Sequence, residues 1–218
     1  MKFDDYYNTI LEAKRGKEPK SNVKLPDGTW RRVNSDGDVL YTKNKNRVDY
    51  HRLDGPAIEW LDGSKQWWVN SHLHRLDGPA IIGADGSKLW YVNGYRHRLD
   101  GPAAEWSNGY KMWYVNGKQH RLDGPAVEWS NGRKAWYVNG YRHRLDGPAI
   151  ENADGEKYWY VNGKRHRLDG PAVEYADGGK AWWVNGKEYS EEEFNTIFGV
   201  SKDSAVIKQR AASNDLFR

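Results

Sequence analysis

The sequence predicts an all-β protein: an elongated antiparallel meander, or solenoid, of 23-residue hairpin repeats with short helical caps at both ends. Three observations carry this expectation. The string HRLDGPA begins at His51, His74, His97, His120, His143 and His166, each 23 residues after the last, so six copies fill residues 51–188. A fixed period of that size marks a stacked array. Each copy holds Asp/Asn-Gly turn signals separated by short segments rich in Trp, Tyr, Val and Ile, the composition and length of strands. Eleven of the twelve Trp recur at fixed positions inside the copies, which assigns them to the architecture.

Taken in order, residues 4–15 place Tyr6, Tyr7, Ile10 and Leu11 at helical spacing and end at Gly16, so a helix is expected there. Residues 17–50 hold degenerate hairpin material, with Asp27-Gly28, Trp30 and Asp36-Gly37 before Val39-Leu40-Tyr41. Residues 1–50 thus form an N-terminal cap. Within the copies, Asp62-Gly63 and its equivalents have type I′ turn chemistry, and Asn93-Gly94 and its equivalents supply a second turn. Two strands per copy are expected, such as Pro56–Trp60 and Lys65–Val69, with proline tolerated at the first strand position. After the last copy, Ser190 followed by Glu193 is a capping box opening a helix through Phe198, and a second helix is expected over 203–212. Residues 189–218 form the C-terminal cap, since the open ends of a strand stack need covering.

Alternation by two assigns faces. Trp67, Trp90, Trp113, Trp136, Trp159 and Trp182 each precede a Val by two and are expected on the buried face, with Ile58 and its aliphatic equivalents. The opposite face then carries Trp68, Tyr91, Tyr114, Tyr137, Tyr160 and Trp183 beside acids such as Glu105 and Glu128. Tyr and Trp have an apolar body and a polar tip, which suits a half-exposed contact surface. These eight residues are the partner-binding candidates. Irregular positions (Ile82-Gly83, Ser71-His72 and Asn152) read as drift among scaffold positions.

Composition narrows the function. With 14% aromatic and 29% charged residues the chain is too aromatic for disorder and too polar for a thick aliphatic core. Cys is absent, which removes disulfides, thiolate nucleophiles and Cys-ligated zinc. No run approaches the roughly 18 to 20 apolar residues of a membrane helix. Acids at Asp4 and Asp5 and the lack of an apolar stretch after them argue against a secretory signal, so a cytoplasmic location is expected. The His-Arg-Leu-Asp element holds ligand and acid–base residue types, but six equivalent copies point to a turn, whereas an enzyme needs one constellation. No nucleophile elbow, P-loop or H-E-x-x-H occurs, so neither an enzyme nor a metal or other cofactor is expected. Residues 51–186 carry 18 Lys+Arg against 16 Asp+Glu. Such interleaving suggests cross-strand charge ladders, where nucleic-acid binding needs an uncompensated basic stripe.

The run Trp113-Tyr114-Val115-Asn116-Gly117-Lys118-Gln119-His120, followed by an aromatic strand closing at Asn131-Gly132, resembles the MORN (membrane occupation and recognition nexus) repeat. Here Arg-Leu-Asp stands between the His and the Gly, where MORN units place Gly directly after His. The array is similar in particular to MORN-variant repeats of phage, large-DNA-virus and antitoxin-like bacterial proteins, which often finish as this one does with N-G-K-E-Y-S-E-E-E-F, Asn185–Phe194. The resemblance covers residues 51–194. It implies a non-enzymatic scaffold that binds a protein partner, and the phage likeness implies a host factor or defence component, met in the host cytoplasm. The alternative expectation is a glycan- or nucleic-acid-binding array using the repeated Tyr/Trp face; similar aromatic hairpins occur in choline-binding cell-wall modules.

Overall fold

The structure, a computed structural model, describes residues 19–45 and 49–199. The helices expected over 4–15 and 203–212 lie outside the described residues. The chain packs as two units. One holds the residues up to Arg98 together with Ala103–Ser107, the other Leu99–Pro102 together with the residues from Asn108 onward.

Both units are antiparallel meanders. In the first, the strands Pro19–Lys24, Trp30–Asn34 and Val39–Thr42 pair through Lys24↔Trp30 and Val33↔Val39, the hairpin material expected before the repeats. Leu40↔Ile58 then joins them to the repeat strands Ile58–Glu59, Lys65–Gln66, Ile81–Ile82, Lys88–Leu89 and Ala104–Glu105, each paired with the next. The second unit continues the pattern through Lys111–Met112, Val127–Glu128, Lys134–Ala135, Ile150–Glu151, Lys157–Tyr158, Val173–Glu174, Lys180–Val184 and Lys187–Tyr189. The fold is all-β, a meander of repeated hairpins, as the period predicts.

A copy holds more strands than the two expected. In the first five copies the Trp strand is interrupted at the Trp, where the backbone changes partner; in the last, Lys180–Val184 runs on unbroken. In the first unit the Trp67 N–H donates to the Ala80 carbonyl (2.8 Å), and the Trp67 carbonyl accepts from the His74 N–H (3.0 Å). Beyond that bend a separate two-stranded hairpin forms: Trp68–Val69 with His72–Leu73 in the first copy, Tyr137–Val138 with Tyr141–Arg142 in the fourth. Alternation counted across a bend assigns faces wrongly.

Register corrects that assignment. Ile58 stands opposite Gln66, and Glu59 opposite Lys65, so the aliphatic residue shares its face with the position before the Trp. Ile58, Gln66, Ile81, Leu89, Ala104, Met112, Val127 and Ala135 are all buried. The repeated Trp lies instead on the face of the Glu and Lys ladder. In the second unit that ladder alternates Lys111↔Glu128↔Lys134↔Glu151↔Lys157↔Glu174↔Lys180, the charge pairing expected from the interleaved composition. The alanine of each HRLDGPA is fully buried in all six copies, from Ala57 to Ala172.

The two turns also differ from each other. Asn93 (φ +49°) and Gly94 (φ +81°) are both left-handed, the type I′ geometry expected. At the other turn only the glycine is left-handed: Gly63 has φ +90°, while Asp62 has an ordinary φ. Trp60 N–H to Ser64 carbonyl (2.9 Å) closes a three-residue loop, and Asp62 Oδ1 accepts the Ser64 N–H (2.8 Å). The Asp side chain stabilises a type I turn with a bulge at Gly63, so the type I′ expectation fails there. After the last copy, Ser190 caps the helix Glu191–Phe198. Both halves of the predicted capping box are present, and Phe194 is the buried residue.

Candidate functional site

The repeated Arg and Trp make a joint between consecutive copies. The guanidinium carbon of Arg75 lies 4.0 Å from the Trp67 ring centre, and Arg98 over Trp90, Arg121 over Trp113, Arg144 over Trp136 and Arg167 over Trp159 repeat this within 4.0–4.1 Å. Arg52, ahead of any repeated Trp, uses Tyr41 at 4.0 Å. Arg52, Arg75, Arg121, Arg144 and Arg167 then fan their donors over their own loops. Arg121 Nε donates to Asp123 (2.9 Å), and Nη1 donates to the Pro125 carbonyl (3.2 Å) and to Glu128 (3.2 Å). A planar cation stacked on an indole and forked between two carboxylates is a use that Lys cannot reproduce. The same contact holds the Asp77 and Asp123 carboxyls below the usual carboxylate range, through the hydrogen bonds from Arg75 and Arg121.

The histidine of the element serves a turn. The Asn139 N–H donates to His120 Nδ1 (3.2 Å), and Asn162 and Asn185 do the same to His143 and His166. Burial pushes the His143 and His166 imidazoles below their ordinary range, with the hydrogen bonds of Asn162 and Asn185 opposing it. His and Asp of one element therefore face different partners, and the structure does not bring them together. Among the described residues no group of three or more His, Asp or Glu could hold a metal ion.

The eight partner-binding candidates divide between the faces. Tyr91 and Tyr160 are buried, against the expectation of a half-exposed surface. Their hydroxyls accept from Arg96 Nε (3.0 Å) and Arg165 Nε (3.3 Å) of their own hairpins, and the Tyr137 hydroxyl accepts from Arg142 Nε (3.3 Å). Trp68 is half-buried; its Nε1 donates to Gln66 (2.8 Å) and its ring lies 5.6 Å from Tyr50. Tyr114 and Trp183 are half-buried, with Arg165 5.0 Å from the Trp183 ring. Trp68 and Tyr114 each reach the side chain two residues earlier, Gln66 and Met112. Glu105 and Glu128 lie on the other face, engaged by Arg98 and Arg121 at 3.2 Å. Asn152, an irregular position, donates to Glu156 (3.0 Å), which also accepts from Tyr158 (2.6 Å) and pushes that phenol up to about 12.

What the structure leaves open to solvent is the leucine of HRLDGPA. Leu53, Leu76 and Leu99 are each 80% exposed and Leu122 is 77% exposed. The neighbouring Asp54, Asp77 and Asp123 side chains are 81–84% exposed. Sequence reasoning treated the whole element as a turn and missed the leucine. Its signal was an apolar side chain kept in all six copies between Arg and Asp-Gly-Pro, where the turn itself has no use for one. Arg52, Arg75 and Arg121 pin their loops, so in those three copies an exposed Leu and an exposed carboxylate are held side by side. Compared with known protein families and with curated proteins, the chain matches none.

Proposed function

We propose that this protein is a non-enzymatic repeat scaffold that binds a protein partner, and that the exposed Leu-Asp loops make the contact. The observation that carries this reading is the 77–80% exposure of Leu53, Leu76, Leu99 and Leu122, with Arg52, Arg75 and Arg121 bonded to the aspartates of their own loops. Exposed leucines repeated at one loop position mark an interaction surface better than leucines scattered singly. Within each unit, two sheet strands per period set consecutive loops roughly 10 Å apart, close to the advance of seven helical residues. An amphipathic, basic segment of the partner suits such loops: its apolar side chains meet the leucines and its lysines or arginines meet the aspartates. The likeness to phage repeats makes a host protein the expected partner. The glycan- or nucleic-acid reading finds less support, since the tyrosine hydroxyls are spent on arginines and Tyr91 and Tyr160 are buried.

The test compares capture of host proteins by the full chain, by Leu53→Asp/Leu76→Asp and by Tyr114→Ala, each with and without nuclease. A discrete protein captured by the wild type and by Tyr114→Ala, lost with the leucine substitutions and indifferent to nuclease, supports the proposal. Capture untouched by the leucine substitutions, or abolished by nuclease, overturns it.

A further inference from the structure

The repeat sorts its charges by position. Along the sheet of the second unit every ladder Lys faces a Glu, and Arg121, Arg144 and Arg167 are forked between an Asp and a Glu of their own loops. The hairpin tips are different. Residues 116–119, 139–142, 162–165 and 185–188 hold Lys118, Arg142, Lys164, Arg165 and Lys187 against the single acid Glu188. Arg142 and Arg165 donate to the Tyr137 and Tyr160 hydroxyls at 3.3 Å, bonds to neutral groups that leave their charge in place. Backbone bonds join consecutive tips: the Gly140 N–H donates to the Gln119 carbonyl, Gly163 to Arg142 and Gly186 to Arg165, each at 2.9 Å. The third residue of a tip then lies across the glycine of the next. A Cβ added at Gly140 would meet the Lys118 side chain at 3.8 Å, at Gly163 the Tyr141 ring at 3.2 Å, and at Gly186 the Lys164 side chain at 3.8 Å. Lys118, Tyr141 and Lys164 thus stand in one row, both lysines exposed and Tyr141 62% exposed.

We propose that this row binds a single-stranded nucleic acid, with Lys118 and Lys164 on its phosphates, Arg142 and Arg165 adding to the positive field, and a base stacked on Tyr141. The site shares no residue with the Leu-Asp loops. An uncompensated basic stripe holding an accessible aromatic ring suits such a ligand. Composition hid the stripe, because the ladder and loop pairs cancel most of the remaining charge. Neighbours in the row are roughly 10 Å apart, against about 3.4 Å between successive phosphates of a stacked strand. That step leaves a single strand room to unstack a base onto the ring between two cations. A duplex keeps its base faces covered and cannot use the tyrosine, and an acidic polypeptide satisfies the lysines but gives the ring no base to stack on. Tyr137 and Tyr160, expected at a contact surface from alternation, instead hold the arginines of the tips. The first unit repeats the arrangement once, with the His72 ring across Gly94 and Tyr95 64% exposed.

Fluorescence anisotropy of a labelled oligo(dT) of about 20 nucleotides, titrated with the full chain, tests this. With four cations engaged, affinity is expected to fall about 50-fold between about 50 and 200 mM salt. Lys118→Gln/Lys164→Gln removes two of the four, and the fall should shrink to about sevenfold. Tyr141→Ala should weaken binding roughly fivefold or more at every salt concentration, and Tyr141→Trp should restore it. No binding by the wild type, wild-type affinity in Tyr141→Ala, or equal binding of an oligo(dA)·oligo(dT) duplex overturns the proposal. So does poly-glutamate that competes as well, charge for charge, as unlabelled oligo(dT), since the row would then serve an acidic protein. The row belongs to the second unit, and the capture test uses Leu53 and Leu76 of the first, so the two readings fail separately.

Discussion

Replacing Arg144 tests the joint between copies. Its guanidinium sits 4.0 Å above Trp136, donates to Glu151 at 2.8 Å and to the Pro148 carbonyl at 3.1 Å, and meets Asp146 at 3.1 Å. The Asp146 side chain is 82% exposed, so that ion pair contributes about 0–1 kcal/mol. The stacked cation contributes about 0.5–2 kcal/mol and the bond to half-covered Glu151 about 1.5–3 kcal/mol, the latter reduced by its partial exposure. Arg144→Ala should therefore destabilise the protein by about 2–3 kcal/mol, and Arg144→Lys by about 1–2 kcal/mol, because Lys keeps the charge and loses both the fork and the flat stacking surface. The assay is urea unfolding followed by far-UV circular dichroism. A double-mutant cycle with Trp136→Leu isolates the stacking, with an expected coupling of about 0.5–1 kcal/mol. Should Arg144→Lys unfold at the wild-type midpoint, or should the cycle be additive, the arginine is decorating the loop and the joint is held by backbone pairing alone.

Two further outcomes follow from single positions. His143 and His166 are held below the ordinary histidine range by burial, so the unfolded chain, titrating near about 6.5, binds more protons than the folded one as pH falls. Their contribution is complete above that pH and is lost as pH drops below it through the folded values; urea midpoints should decline between about pH 7 and pH 5, and His143→Gln/His166→Gln should flatten that slope. Ser71 occupies the left-handed position that glycine fills in the other copies, at φ +62°. Ser71→Gly should raise stability by about 1 kcal/mol in the same unfolding assay, and a neutral or negative result would mean that the side chain earns its place there.

The 23-residue period and the Asn-Gly turns made the meander legible before any coordinates, because both depend on local backbone chemistry. The capping box at Ser190 and Glu193 was legible for the same reason. The faces were not. Alternation by two holds only within an uninterrupted strand, and Trp67 ends one by giving its N–H to Ala80 and its carbonyl to His74, a non-local exchange that no side chain announces. The Asp62-Gly63 turn was misread because Asp favours two turn types, and only the φ of Asp62 and its bond to Ser64 decide between them. The leucine row stayed hidden because exposure is a property of what does not pack against a residue. HRLDGPA reads as punctuation, and it is punctuation with one letter turned outward.

A joint made by an indole from one copy and a guanidinium from the next gives the array a polarity. Every internal copy offers a ring on one side and a cation on the other, so neighbours can meet in only one orientation. Whole periods can then be gained or lost during evolution wherever the cut falls, since any cut of 23 residues restores a matching pair. The first and last copies are the exception: Tyr41 substitutes for the missing ring at the start, while at the end Trp182 meets Tyr189 across a longer strand pair in place of another arginine. A period added between those ends brings its own ring and its own cation.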